Sequence, residues 1–308
     1  MSQRTRSTCW PFVWSVGSNP SRILFSKACF SYLSWWRRPS FLRGGGSKKD
    51  TLFAGPWVGE FGWELMDWQG YLRALRGRYK RIIVSARPSS KALYDDFCDE
   101  FVPHGIRGES NAHTIFGIEN PHELARVLNA IPANCDHLPP LRYIPQDEQS
   151  FIRFGGDHSD ETAPDILVHA RGRASVPGRN WPVEQWQHLA ALLQEEGMTV
   201  GCIGLRNATL EVEGVVDYRD LPLAETMQLM SSCKCVVGPS SGAMHLASLC
   251  GSPHVVWTDR KSYGMGKTSR EKYESWWNPL QTPVAVMDES GFSPDVADVR
   301  ACIRGLLR

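Results

Sequence analysis

Acidic residues are all but missing from the first fifty positions of this 308-residue chain, where Asp50 stands alone against nine basic side chains running from Arg4 to Lys49. The rest of the sequence reverses that balance: of the 34 basic and 33 acidic residues, 25 and 32 lie beyond it, a net −7. Such a body lacks the dominant basic surface that neutralises a phosphate backbone, so nucleic acid is not an expected partner. Long apolar runs are lacking too. Ile23 to Trp36 is broken by Ser26, Lys27, Ser31 and Ser34, short of the ~20 apolar residues of a spanning helix. The nine cysteines are odd in number and show no Cys-x-x-Cys spacing, which points to reduced thiols in a cytosol-like compartment. Cys233 and Cys235 flank a predicted buried strand and read as packing. There is no His-Glu-x-x-His, no spaced Cys/His set and no Asp-x-Asp, so no metal site is expected.

What is present is a globular composition, 42% apolar, over a length that suits two domains. Residues 1–49 are Ser-, Arg- and Trp-rich and end in Gly44-Gly45-Gly46-Ser47-Lys48-Lys49. They read as a basic, disordered extension or a translated upstream stretch, with a transit-like or membrane-surface segment as the alternative. From Thr51 the pattern becomes strand (Thr51 to Ala54), glycine-rich turn, and a helix with Phe61, Leu65, Trp68, Leu72 and Leu75 at three- and four-residue steps. A strand from Arg81 to Ser85 and a helix from Pro121 to Ile131 follow, and Pro139 to Thr162 reads as a linker. A second alternation begins at Ile166-Leu167-Val168. It continues through a helix after Pro182, a strand from Thr199 to Ile203, a helix from Leu223 to Met230, a strand at Cys235-Val236-Val237, a helix from Ala243 to Cys250 and a strand from His254 to Trp257. This alternation implies an α/β fold of two Rossmann-like domains, 50–160 and 161–308, whose mostly parallel sheets face a cleft.

Ligands of open α/β sheets bind beyond the carboxyl ends of the strands, which singles out four loops. In Gly238-Pro239-Ser240-Ser241-Gly242-Ala243-Met244-His245, small residues between a strand and a helix let an anion approach free N–H groups, and a diphosphate fits there. The plainer alternative is that Ser240 or Ser241 caps the helix, with His245 a core residue. Arg171, Arg173 and Arg179 lie within nine residues after another strand and suit phosphate oxygens, against the alternative of solvated surface arginines. In Gly55-Pro56-Trp57-Val58-Gly59-Glu60-Phe61-Gly62-Trp63-Glu64, Gly59 and Trp63 would shape an acceptor loop. Glu60 would be a general base, with Glu64, Asp67 and His113 as alternates. Glu60, Glu64 and Asp67 should share one helical face opposite the Phe61 stripe, yet acids at a helix N-terminus also need no role beyond the dipole. The fourth loop, Asp217-Tyr218-Arg219-Asp220-Leu221-Pro222-Leu223-Ala224-Glu225, follows a short apolar run, and its Leu221 and Glu225 read by themselves as ordinary helix-start residues.

The run Val236 to Val256, with its Gly-x-Ser-Ser-Gly-Ala-Met-His-Leu-Ala-Ser-Leu-x-Gly-x-Pro pattern, resembles the donor-binding segment of family 9 glycosyltransferases, the lipopolysaccharide heptosyltransferase group. Ser240 stands where that group usually has Asp. Val168-His169, Arg179, Trp181-Pro182, Trp186 and Leu189 are similar to the same group's strand-loop-helix entry, so the resemblance covers the second half of the chain. It implies the GT-B architecture with the donor in the C-terminal domain, where Leu221 and Glu225 would hold the nucleoside. It also implies an inverting, metal-independent transfer from a nucleotide sugar, a substrate and not a cofactor, to a glycan or lipid-linked hydroxyl. The expected place of work is the cytoplasm, with peripheral contact at the inner membrane face. A nucleotide-sugar epimerase and a non-catalytic nucleotide-sugar-binding protein are the alternatives.

Overall fold

The computed structural model describes residues 49–140, 144–156, 162–260 and 267–308. The expected extension 1–49 therefore lies outside the described residues save for Lys49, and the expected linker lies partly outside them.

Two parallel sheets follow one another along the chain. The first has the order β3-β2-β1-β6, from β1 (Thr51–Ala54), β2 (Arg81–Ala86), β3 (Glu100–Pro103) and β6 (Asp136–Leu138). An antiparallel hairpin of β4 (Glu109–Asn111) and β5 (Thr114–Phe116) projects from it. The second has the order β12-β11-β10-β7-β8-β9, from β7 (Ile166–Val168), β8 (Val200–Gly204), β9 (Val216–Arg219), β10 (Cys235–Pro239), β11 (His254–Trp257) and β12 (Val284–Met287). Short apolar runs such as Ile166-Leu167-Val168 form the central strands because both sheet faces are covered there, so β7 and β10 are buried throughout and need no polar alternation.

Strand order reverses between β7 and β10 in the second sheet and between β1 and β6 in the first. At such a reversal the loops leaving neighbouring strands diverge to opposite faces and open a crevice. The loops after β7, β10 and β1, three of the four singled out in sequence, lie at these crevices, while the fourth follows edge strand β9. The fold is the GT-B type.

Helix α1 runs over 61–74 and contains a π-helical turn, Glu64–Trp68. Leu65, Trp68, Leu72 and Leu75 are buried on it as their spacing predicts. The expected polar face is not formed, because Glu64 and Asp67 are 1% and 0% exposed. Within the π turn Glu64 is enclosed by Ser90 and Tyr94 and Asp67 by His113, and the segment at Gln149 and Phe151 packs against Gly70. Further helices are α2 (Pro121–Asn129), α3 (Val183–Glu195), α4 (Leu223–Ser232), α5 (Gly242–Cys250), α6 (269–276, ending in the π turn Lys272–Trp276) and α7 (Val296–Leu306). The largest apolar cluster is shared by both sheets, joining Leu52 and Leu65 to Leu167, Met227, Met244 and Tyr273. Cys233 and Cys235 are buried, and burial pushes the Cys233 thiol up to about 12. Among the described residues no helix is long and apolar enough to cross a membrane.

Candidate functional site

Strand β10 ends at Pro239, and the chain turns through Ser240 and Ser241 into α5. Gly238 is closely packed, since a Cβ there would press on Met244 Sδ at 3.0 Å and on His169 Cβ at 3.2 Å. Ser240 N–H donates to Trp257 O at 2.8 Å, which ties the turn to β11. Ser241 occupies the N-cap position, yet no side chain caps the helix. Its hydroxyl lies 3.3 Å from His169 Nδ1 instead. The N–H groups of Gly242 and Ala243 have no partner among the described residues. The helix thus keeps open donors and the positive end of its dipole at the crevice, an arrangement suited to an anion. Burial, aided by Arg171 and Arg173, lowers His169 to about 4, and burial with His254 and Arg179 lowers His245 to about 3. Both rings are neutral at physiological pH, so the positive character comes from the helix and the arginines.

The three arginines expected to share one task are divided by the structure. Arg171 is buried and folds back on its own loop. Nη1 donates to Val176 O at 3.1 Å and to Asn180 Oδ1, and Nη2 donates to Ser175 O at 3.1 Å. Burial and the neighbouring Arg179 and Arg173 bring it down to about 10, so it remains charged. This clasp holds Val176 at φ 59°, a costly left-handed conformation for a β-branched residue. In this structure Arg171 thus shapes its own loop. Arg173 is exposed at the loop's rim. Arg179 reaches the site itself: Nη2 donates to Ser240 O, the guanidinium sits 4.9 Å over the Phe292 ring, and Nη1 has no partner among the described residues.

Gly238-Pro239-Ser240-Ser241-Gly242 also matches the Gly-x-Ser-x-Gly spacing of a nucleophile elbow. Ser240 is not activated as one. Its hydroxyl is held by Tyr273 at 2.8 Å, and the nearby imidazole of His169 faces Ser241.

Across the crevice, the loop after β1 is pinned by Arg87. Its guanidinium donates to Val58 O and Gly59 O, each at 2.8 Å, and to Ser110 Oγ at 2.7 Å. Gly59 lies against the backbone of Ala112 and His113, where a Cβ would collide, and Glu60 N–H donates to Ala112 O at 2.6 Å. Glu60 emerges exposed at the N-cap of α1 with no side-chain cap bond. The next two residues touch the other half of the protein. A Cβ on Gly242 would lie 2.9 Å from Phe61 Cδ1, and one on Gly62 would lie 3.1 Å from His245 Cδ2. The N-termini of α1 and α5 therefore meet, with Glu60 beside the junction. Trp63 is half-buried between His113, at 4.8 Å, and Trp276, at 6.5 Å.

Glu64, the alternate acid, is sealed from the crevice. It accepts from Tyr94 Oη at 2.6 Å and Ser90 Oγ at 2.9 Å. Burial raises its carboxyl from 4.5 to about 7, against the opposing pull of those hydroxyls and of Arg87. Between these two values the folded chain holds a proton that the unfolded chain has released, so stability falls as pH rises through that window, by ~3 kcal/mol in all. Glu64→Gln keeps the shape without the titration. Its urea midpoint should lose this component of the decline between about pH 5 and pH 8, and parallel curves for variant and wild type would refute the assignment. Asp67 is likewise buried, with His113 Nε2 2.8 Å from its Oδ2.

The nucleoside loop is shorter than expected, because Val216–Arg219 is edge strand β9 and Asp217 pairs with Arg219 at 2.8 Å. Leu221 is half-buried against the shared core, and Glu225 is exposed in the first turn of α4. Sequence reasoning missed Arg87 and Tyr273. Arg87 was findable, since it follows a predicted strand's carboxyl end. Tyr273 has no local signal, because it arrives from the short helix α6, more than 30 residues downstream of Ser240.

Residues 71–257, over half of the chain, match the family model described as glycosyltransferase family 9 (heptosyltransferase). No curated protein sequence matches the chain. Among solved structures it is similar to a family 9 glycosyl transferase from Veillonella parvula, with 13% identity, 84% of this chain and 97% of that one covered, and a TM-score of 0.60. It is similar to the E. coli ADP-heptose lps heptosyltransferase II, with 16% identity, 84% and 98% covered, and a TM-score of 0.56. The iron-containing dodecameric glycosyltransferase TibC from enterotoxigenic E. coli follows with 14% identity, 84% and 79% covered, and a TM-score of 0.52. At these identities the likeness shows the fold.

Proposed function

The chain belongs to glycosyltransferase family 9, the heptosyltransferase family, and on that premise we propose that it is an inverting, metal-independent enzyme moving a sugar from a nucleotide-sugar donor to a hydroxyl of a glycan or lipid-linked acceptor. One observation carries this: the uncapped N-terminus of α5, flanked by Arg179, opens beside the exposed carboxylate of Glu60. The donor's diphosphate would take the N–H groups of Gly242 and Ala243, the hydroxyls of Ser240 and Ser241, and Arg179 Nη1. Glu60 would remove the acceptor hydroxyl's proton as its oxygen bonds to the anomeric carbon. The bond from that carbon to the diphosphate breaks on the opposite face, and the nucleoside diphosphate leaves with the electron pair. Helix dipole and guanidinium meet the charge that develops there, which is the task a divalent cation performs elsewhere. Leu221 and Glu225 would border the nucleoside, and Gly59 and Trp63 the acceptor. The described cysteines are free thiols. This supports work in the reducing cytoplasm, with a lipid-linked acceptor met at the membrane's inner face.

The test is a thermal-shift series with ADP, GDP, UDP and CDP and their sugars, ADP-heptose included because one structural relative is the E. coli ADP-heptose lps heptosyltransferase II. A ligand that prefers the native state raises the melting temperature with concentration. One nucleotide should do so, transfer should survive EDTA, and the product's anomeric configuration should be opposite to the donor's. The absence of any shift would overturn the donor site. A retained configuration would overturn the direct role of Glu60, and loss of activity with EDTA, restored by a divalent ion, would overturn metal independence.

A further inference from the structure

Ser240 is held at three points. Its N–H donates to Trp257 O, its carbonyl accepts from Arg179, and its Oγ receives the Tyr273 hydroxyl at 2.8 Å. Tyr273 is itself fully buried, in the π turn of α6. Its ring lies near-parallel to that of His245, 5.4 Å between centroids and 26° between planes, and edge-on to Trp277 at 5.0 Å. One buried side chain thus touches the residue before the α5 N-cap and the histidine in the first turn of that helix. A serine hydroxyl has one hydrogen to give and two lone pairs to receive. With Tyr273 donating into Oγ, the hydrogen of Ser240 stays uncommitted, and a hydroxyl that accepts one hydrogen bond becomes the stronger donor of the next.

We propose that Tyr273 is a positioning residue that acts through Ser240, orienting its hydroxyl as a neutral donor to the departing nucleoside diphosphate. This rests on the diphosphate site proposed above. Tyr273 does not touch the donor. It replaces the reorientation a free serine would need with a fixed geometry, which matters most when charge accumulates on the leaving group.

The experiment is a double-mutant cycle on the full chain, with Tyr273→Phe, Ser240→Ala and both together, read as the dissociation constants of ADP, GDP and UDP by calorimetry. Each single variant should weaken the nucleotide that binds the wild type by about tenfold, the size of one hydrogen bond to a charged group. The double variant should be no weaker than Ser240→Ala. A purely structural tyrosine would lower stability yet multiply with Ser240→Ala, and that additivity would overturn the proposal, as would unchanged affinity in Tyr273→Phe beside a weakened Ser240→Ala. If Ser240→Ala leaves affinity intact, or no diphosphate binds the wild type, the diphosphate site falls first and this role with it. Should Tyr273→Phe not fold, a fluorotyrosine placed at position 273, a stronger donor of the same shape, should tighten binding, and unchanged binding would overturn the proposal.

Discussion

Glu60→Gln should lower the rate of transfer by about 10² to 10⁴, the range a positioned general base supplies, while leaving donor binding within about twofold. Glutamine keeps the size and the hydrogen-bonding reach of the side chain, so what is lost is the ability to take a proton. Glu60 is exposed and makes no side-chain cap bond, so the folded state loses little with it. Its backbone is fixed independently of its carboxylate, through its own N–H on Ala112 O and through Arg87 on Val58 O and Gly59 O. The loss should therefore appear in kcat, with the donor's melting-temperature shift retained. If turnover is unchanged, Glu60 is not the base. If donor binding is lost as well, its role is in the donor site.

Arg179→Ala should weaken the nucleoside diphosphate by about 10- to 100-fold, because a guanidinium making a charge-assisted bond to phosphate contributes ~1.5–3 kcal/mol in a partly desolvated site. The same change removes the donor to Ser240 O and the cation over Phe292, so part of the effect reaches the diphosphate through the turn. Arg179→Lys separates the two contributions. An ammonium is a point charge that cannot serve Ser240 O and a phosphate oxygen with separate fork arms, so lysine should recover only part of the affinity. The loss should shrink as ionic strength rises, since a partly exposed charge is screened. Calorimetric titration at low and high salt reads both, and full recovery by lysine would show that net charge alone matters. Arg171→Ala should differ in kind. It releases Ser175 O, Val176 O and Asn180 Oδ1, so it should lower the melting temperature and disorder the loop that carries Arg179.

The turn at Gly238 to Ala243 was legible in sequence because a strand-to-helix turn is built from neighbours: small residues, a strand before and a helix after. The stripe of α1 was legible for the same reason, and so was the place of the Glu60 loop. The π turn was not. Nothing in the spacing of Glu64 and Asp67 announces that the helix widens there and that Ser90 and Tyr94 close over one acid and His113 over the other, so two acids that look solvent-facing are interior. The short strands β3, β6 and β12 escaped because three or four residues at a sheet's margin carry too little periodicity. The arginines escaped in their roles. Composition places three cations in one loop, but only the path of the loop decides that Arg171 closes it, Arg173 leaves it and Arg179 reaches Ser240.

By itself, then, the sequence determined the alternation of strands and helices, the family-like turn before α5 and the presence of an acid on the facing loop, because each is written in residues within about ten positions of one another. The tertiary structure alone decided which acid stays exposed, which arginine keeps a free arm, and that Tyr273 and Arg87 stand behind the two loops. Burial and hydrogen bonding are set by partners brought together when the sheets pack, and Tyr273 lies 33 residues from Ser240 in a segment whose local pattern says nothing about where it will dock.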